Sequence, residues 1–442
     1  MMSDHLNILY KLRLKIYLIL FSTFLIFTVW NLDFYIYSFF FNFFLIFLFF
    51  EGSNFLRRTI YYYNTKSFVL GLLLSSMIIR ILFSIFILIY FSFSYDNLLG
   101  YNPQDELGYF NNAIKLSNGD FQFLTLDSDS GASLYYGILA FFSQGNIFLM
   151  KIFNSIISSL IPIQTYFISR YFLSVDQAKY SGILSVFFPC YLIHSGFLFK
   201  ESVMLVLILL AIHCILRLKE KYSVKSIIFF GLSVSSLFLF RTIVALSLVI
   251  TFSFFIYKNS GKYKIFLLIF NLIFLYFAIS SSPFILEIIF YVNTLLKGNI
   301  GGYLSFLLES DGMIMSPFTY FQFLILSIIG PLPTFISYSS DYIFLLSPSR
   351  FIKLFLSPFI YYGLYLIFKL NKSLRPILLF VFINLLAIWF VGFFLIDIFQ
   401  FIFYPIFILA IVLSLQKIEK HLRFINFYFI ACFFLLIYWN LL

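Results

Sequence analysis

Long apolar runs, separated by short polar breaks, constrain this chain more than any other feature of its sequence. The runs recur from residue 14 to residue 441, and many approach the length of about 20 residues that crosses a bilayer as a helix. Of the 442 residues, 62% are hydrophobic and 11% are charged, whereas a water-soluble globule is roughly half apolar. The runs lack the apolar–polar alternation of a membrane β-barrel. We therefore expect an all-α polytopic membrane protein.

The runs predict about ten to thirteen transmembrane helices, in a single integral membrane domain over residues 1–442. Two stretches, residues 134–167 and 317–347, are long enough to hold more than one helix each. Residues 14–30 follow a basic start but contain no small-residue cleavage site, so we expect a retained first span rather than a signal peptide.

The distribution of basic residues predicts the orientation of the chain. Seven short segments that can all lie on one side of the membrane hold 20 of the 29 Lys and Arg residues, with five acidic residues. The segments are residues 1–15, 51–66, 168–179, 217–225, 258–264, 371–375 and 417–423. We expect these segments and the N-terminus to lie on the cytoplasmic side of a bacterial cytoplasmic membrane. Because nucleic-acid binding requires basic residues on one folded face, we exclude nucleic acid as a partner.

Two long polar loops lie on the opposite, outer side: the first outer loop, residues 96–133, and the second outer loop, residues 283–316. The first outer loop holds six acidic residues and one lysine, Lys115. It also contains a predicted short amphipathic helix, since Asn102 can cap it, Pro103 suits the first helical position and Asn118-Gly119 can end it. Three apolar residues fall on one face of this helix, which we expect to lie in the membrane interface: Leu107, Phe110 and Ile114.

Asp105 is the third residue after the predicted cap, and its position allows two interpretations. A carboxylate there completes a capping arrangement and interacts favourably with the helix dipole. A carboxylate held rigidly at the membrane surface can also accept a proton from an incoming hydroxyl group and so act as a general base. The position alone leaves both interpretations open.

The stretch Asp105-Glu106-x-x-Tyr109, followed by Ala113 and by Asn118-Gly119-Asp120 at the helix end, resembles a loop of the membrane-embedded GT-C glycosyltransferases. The similarity is to the protein mannosyltransferases and the aminoarabinose transferases of lipid A. It continues through roughly residues 100–245, and its further positions are Tyr135-Tyr136-Gly137, Asn154, Pro189 and Lys200-Glu201-Ser202.

The resemblance implies a GT-C-like fold and an inverting glycosyltransferase of cell-surface glycan or glycolipid biosynthesis. Its donor would be a sugar linked to polyprenyl phosphate, and its acceptor a glycan or lipid on the extracytoplasmic side. By resemblance, Asp105 is the catalytic carboxylate, Glu106 is a supporting acid or metal contact, and Tyr109 is a further candidate. No cofactor is identified, and the need for a divalent cation stays open.

One family feature is altered in this chain. Members often carry an Asp-x-Arg-aromatic stretch before a proline near the last outer loop. Here Asp397 begins Asp-Ile-Phe-Gln ahead of Pro405, and the arginine is missing. Asp397 therefore stays a candidate site residue, but the substrate contacts that family members make through this arginine are not expected here.

A lipid phosphate leaving group develops negative charge, which fixed cations or a metal must stabilise. Lys200 lies at a predicted outer turn, and Arg241 lies between two apolar runs of about fifteen residues, so both stay near the membrane. We predict that both contact the lipid phosphate; the structural alternatives are a local Lys200–Glu201 pair and a carbonyl-capping or snorkelling Arg241. Arg80 and Lys151 lie deeper, where each could pair with a carboxylate across the bundle.

Two other functions stay open at the level of sequence. A polymerase of lipid-linked oligosaccharide repeat units would use basic residues in the second outer loop, which contains Lys297 alone. A flippase for lipid-linked sugars, or another transporter, is typically built from repeats with helices broken by Gly or Pro. We find no internal repeat, and 19 Gly and 11 Pro in 442 residues are few.

Overall fold

The computed structural model describes most of the chain. The described residues are 2–29, 36–95, 98–99, 103–121, 130–220, 223–259, 269, 333, 341–370, 375–391, 401–415 and 422–441. Every regular element in these ranges is a helix, and five helical stretches are long and apolar enough to cross a membrane. The chain is thus an all-α membrane protein, as expected. Asp397, the second outer loop and residues 122–129 lie outside the described residues.

Seventeen α-helices are described, together with a π-helical turn at Leu48–Gly52 and a 3-10 turn at Phe401–Phe403. They are α1 (Met2–Val29), α2 (Ile36–Phe47), α3 (Ser53–Ile60), α4 (Thr65–Tyr95), α5 (Pro103–Ser117), α6 (Ser130–Ser143), α7 (Ile147–Ser158), α8 (Leu160–Ser169), α9 (Val175–Val186), α10 (Pro189–Gly196), α11 (Glu201–Glu220), α12 (Val224–Phe240), α13 (Thr242–Asn259), α14 (Asp341–Leu370), α15 (Arg375–Val391), α16 (Tyr404–Leu415) and α17 (Leu422–Leu441).

The apolar runs predict many of these helices, but three features differ. Residues 51–60, expected to belong to a cytoplasmic loop, are part of an apolar helical stretch, Phe39–Ile60. The apolar run 180–198 is broken into two helices, α9 and α10. The stretch 134–167 holds parts of three helices, α6, α7 and α8, as its length suggested. A break expected after residue 347 is wrong, because α14 continues through Pro348 and Pro358. Proline is tolerated inside membrane helices where neighbouring helices and side chains satisfy the freed backbone groups.

Helices α9, α10 and the start of α11 form the centre of the bundle, and every residue from 177 to 206 is buried. A capping box between Ser174 and Gln177 starts α9. The chain breaks at Phe187–Phe188, and Pro189 starts α10 because its missing N–H has no helical partner at that position. Helices α4, α7, α14 and α16 pack around this central unit.

Polar contacts place three of the basic segments at one end of the bundle. The Lys179 ammonium group donates hydrogen bonds to the carbonyl oxygens of Tyr61 and Tyr63, at 2.7 and 2.8 Å. Burial and the nearby Asp176 carboxylate raise the pKa of Tyr61. Arg13 forms an ion pair with Glu51. Residues of segments 1–15 and 51–66, and of segments 51–66 and 168–179, are therefore in contact.

Helices α14 and α16 approach so closely that only glycine fits at residue 363. A Cβ atom on Gly363 would lie 2.0 Å from the Ala410 carbonyl oxygen, which belongs to the backbone and cannot move aside. We expect Gly363→Ala to destabilise the protein by about 1–3 kcal/mol through overpacking. The measurement is the thermal unfolding midpoint in detergent. The matched control is Gly231→Ala in α12, where a Cβ would have no neighbour within 4 Å. Equal midpoints for the two variants would contradict this packing.

Candidate functional site

Helix α5 forms where the sequence predicts it, from Pro103 to Ser117. It ends at Gly119, whose φ of +84° is a conformation that glycine adopts without strain. The N–H groups of Gly119 and Asp120 donate to the carbonyl oxygens of Leu116 and Lys115, which satisfies the end of the helix. Asp105 therefore lies in the first turn of a helix with defined ends, and its side chain lies outside the described residues.

The buried face of α5 differs from the apolar face that the sequence suggests. Leu107 is exposed, whereas Phe110 and Ile114 are partly buried. The residues that face the bundle recur at helical spacing: Glu106, Tyr109, Ala113 and Leu116. Glu106 retains only 1% exposure, so α5 directs a carboxylate, and not a leucine, into the protein.

Glu106 is held by two groups from distant parts of the chain. Its Oε1 atom lies 3.0 Å from the Lys151 Nζ atom and accepts a hydrogen bond of 2.9 Å from the Leu198 backbone N–H. Lys151, on α7, also donates to the Leu98 carbonyl oxygen at 3.0 Å. Lys151 thus has a carboxylate partner across the bundle. These contacts fix α5 against α7 and against the turn between α10 and α11.

A second ion pair forms beside the first. Glu201 is the first residue of α11, and its Oε1 atom lies 3.5 Å from the Arg241 Nη2 atom. Arg241 has extended backbone and separates α12 from α13, while its N–H donates to the Leu237 carbonyl oxygen. The two short helices therefore present the guanidinium group at the turn between them.

Two tyrosines and a lysine connect the ion pairs. The ring of Tyr136, on α6, stacks on that of Tyr109 with centroids 6.1 Å apart, and Tyr136 interacts electrostatically with both Glu201 and Glu106. The Lys200 ammonium group lies 5.9 Å from the Tyr109 ring centroid, a cation–π distance. We call the five charged residues the outer charge cluster: Glu106, Lys151, Lys200, Glu201 and Arg241.

The cluster contains most of the residues that the sequence singled out. Lys200 and Arg241 lie together with Glu106 and Tyr109, and Glu201 forms an ion pair with Arg241. The inward position of Tyr136 was not predicted, although Tyr135-Tyr136 is among the positions that resemble the GT-C glycosyltransferases. The Leu198 N–H could not be predicted, because a backbone donor has no sequence signature.

The arrangement suits an anionic ligand held beside a carboxylate. Lys200 and Glu201 are 8% and 4% exposed, so charge interactions here are weakly screened by water. Fixed cations in such a site stabilise negative charge that develops on a neighbouring group. Across the described residues, no group of three or more His, Cys, Asp or Glu side chains is placed to hold a metal ion.

The Glu106–Lys151 pair gives a stability prediction. We expect Glu106→Gln and Lys151→Met each to destabilise the protein by about 3–5 kcal/mol, since each leaves one buried charge without its partner. The double variant should recover part of this loss. The measurement is a double-mutant cycle on unfolding in detergent. The control is Arg13→Gln at the partly exposed Arg13–Glu51 pair, for which we expect a loss below about 1 kcal/mol. Additive losses at Glu106 and Lys151 would contradict direct pairing.

Comparison with protein-family models, with curated protein sequences and with solved structures gives no match for this chain.

Proposed function

We propose that the protein is a GT-C-like glycosyltransferase that transfers a sugar from a polyprenyl-phosphate donor to a glycan or lipid acceptor. The observation that carries the proposal is the convergence of Lys200 and Arg241 with the buried face of α5. Asp105 lies in the first turn of that same helix. An acid and two cations on fixed elements are what displacement of a lipid phosphate requires.

In the proposed reaction the acceptor hydroxyl oxygen attacks the anomeric carbon of the donor sugar. The bond between that carbon and the phosphate oxygen breaks, and its electron pair leaves with the polyprenyl phosphate. Asp105 accepts the hydroxyl proton as general base. Lys200 and Arg241 stabilise the charge that grows on the phosphate. The reaction proceeds on the extracytoplasmic side, where the predicted orientation places α5.

Glu106 has a different task in this proposal. Its carboxylate is engaged by Lys151 and by the Leu198 N–H, so it anchors α5 and thereby positions the neighbouring Asp105. A rigid mount matters because a general base works only within hydrogen-bond reach of its proton.

Asp105→Asn is the first test. We expect the rate of sugar transfer to fall by about a hundred- to ten-thousand-fold, because the asparagine amide cannot accept the hydroxyl proton. Purified protein in liposomes is supplied with a panel of polyprenyl-phosphate sugars and an envelope extract as acceptor, and released polyprenyl phosphate is measured. The matched control is Asp120→Asn at the exposed end of the same loop helix, which should retain activity. Normal turnover by Asp105→Asn would refute the proposed role of Asp105.

Lys200→Gln tests the grip on the phosphate. We expect kcat/KM for the lipid donor to fall about ten- to a hundredfold, the range of losing one hydrogen bond to a charged group. Lys225→Gln, an exposed lysine at the opposite end of α12 from Arg241, is the control and should leave kcat/KM unchanged. An equal effect of the two substitutions would show that only general surface charge matters.

The same liposomes separate the alternative functions. Movement of lipid-linked sugar across the bilayer without release of polyprenyl phosphate would replace the enzyme by a transporter. Growth of chains of lipid-linked repeat units would replace it by a polymerase.

A further inference from the structure

Arg80 is a completely buried arginine in the middle of a membrane helix. It lies fifteen residues into α4, about 22 Å from the start of this span at 1.5 Å per residue, and its exposed fraction is 0%. A charged side chain at such a depth is costly and is normally balanced by a partner. The positive charge of the Arg80 guanidinium group therefore requires a compensating group.

The hydrogen bonds of Arg80 satisfy only one of its nitrogen atoms. Nη1 donates to the hydroxyl and the carbonyl oxygen of Ser76, one turn earlier on the same helix. Nε and Nη2 are buried and have no hydrogen-bond partner among the described residues. No carboxylate in the described ranges forms an ion pair with Arg80. The sequence suggested that Lys151 and Arg80 could each pair with a carboxylate across the bundle. Lys151 has such a partner, Glu106, whereas Arg80 has none in the described part of the chain.

The hydroxyl groups nearby are used elsewhere. The Ser84 and Ser155 hydroxyl oxygens lie 2.5 Å apart, so one of these groups donates to the other, and the remaining O–H group donates to the Ser195 carbonyl oxygen, which lies 3.2 Å from both. These bonds hold α4, α7 and α10 together. They leave the Nε and Nη2 donors without an acceptor.

Tyr191 lies on α10 one turn before Ser195, and Arg80 lies on α4 one turn before Ser84, whose hydroxyl group contacts the Ser195 carbonyl oxygen. Because Gly182 lies against Leu72 and Gly196 against Ile87, the two paths run in the same direction, and Arg80 and Tyr191 are at the same level of the α4–α10 contact.

The Tyr191 side chain is 0% exposed, and its hydroxyl group has no hydrogen-bond partner in the part of the chain that the structure describes. Aromatic rings of Phe188, Phe401 and Tyr404 pack around it. Two helices thus bring three N–H groups of Arg80 and the O–H group of Tyr191, all without a hydrogen-bond partner among the described residues, to one buried region.

We propose that Arg80 and Tyr191 form a binding site for one small inorganic anion, of the size of chloride or bromide. An anion can accept hydrogen bonds from the Arg80 guanidinium group and the Tyr191 hydroxyl group, and it also neutralises the positive charge of Arg80. A water molecule can accept the same hydrogen bonds but does not neutralise this charge. The aromatic packing around Tyr191 favours a monatomic ion over a larger oxyanion. The bound anion would stabilise the contact of α4 with the central helix α10. The proposal is independent of the glycosyltransferase activity.

The first experiment uses the full-length wild-type protein in detergent. Its thermal unfolding midpoint is measured in sodium gluconate, with chloride or bromide replacing gluconate at constant ionic strength. An anion that binds only the folded state raises the midpoint saturably with its concentration. We expect chloride and bromide to do so and inorganic phosphate not to do so. A midpoint that is the same in all the salts would overturn the proposal.

Tyr191→Phe tests the location of the site without removing the charge. We expect it to raise the apparent Kd for chloride about tenfold, the effect of losing one hydrogen bond to an anion. The matched control is Tyr180→Phe, another buried tyrosine of the central unit, which should leave the chloride dependence unchanged. Equal dependence in wild type, Tyr191→Phe and Tyr180→Phe would place the anion elsewhere and overturn the proposal.

A structure of wild-type protein in bromide supplies the direct observation. Anomalous scattering within hydrogen-bond distance of Arg80 Nη2 and Tyr191 Oη would support the site. Density for water alone, or bromide bound only at other positions, would refute it. This experiment does not require any variant to fold.

Discussion

A charge buried in an apolar bundle must have a compensating group, and this constraint organises the part of the protein that holds Glu106 and Glu201. In a medium of low dielectric constant an ion pair is strong, while an isolated ion is very costly. Glu106 and Glu201 can be buried only if Lys151 and Arg241 arrive at matching positions. Five separate elements must therefore converge: α5, α7, α11, and the two turns that follow α10 and α12.

The central helices make this convergence possible. The break at Phe187–Phe188 restarts the chain as α10, whose end delivers the Leu198 N–H to Glu106 and then Glu201 to the start of α11. Because residues 177–206 are buried throughout, this path is held by packing on all sides. The cations of the cluster are consequently mounted on rigid structure, which is the condition under which fixed charges stabilise a developing charge.

The structure treats its deep cations in two ways. Lys151 is compensated within the chain, by a carboxylate and a carbonyl oxygen. Arg80 has hydrogen bonds to Ser76, and among the described residues it forms no ion pair with an acid. Lys151 on α7 and Arg80 on α4 both lie on helices that contact α10. The central unit is therefore flanked by one cation that has a carboxylate partner and by one whose counterion the described residues do not supply.

The sequence by itself determined the class of the protein, the approximate location of many helices and the ends of α5. Those features depend on local properties: the length of apolar runs, the missing N–H of proline and the backbone freedom of glycine. It also indicated that Lys200, Arg241 and the acidic first turn of α5 belong together. It did not indicate that a carboxylate, Glu106, lies on the face of α5 that packs against the bundle.

Only the tertiary structure decided which carboxylate meets which cation. Glu106 and Lys151 are separated by 45 positions, and Glu201 and Arg241 by 40. Neither separation leaves a periodic trace in the sequence, because each pair depends on how several helices pack. Removing two ions from water is costly, and their mutual attraction offsets this cost only when the folded bundle brings both ions together in good geometry.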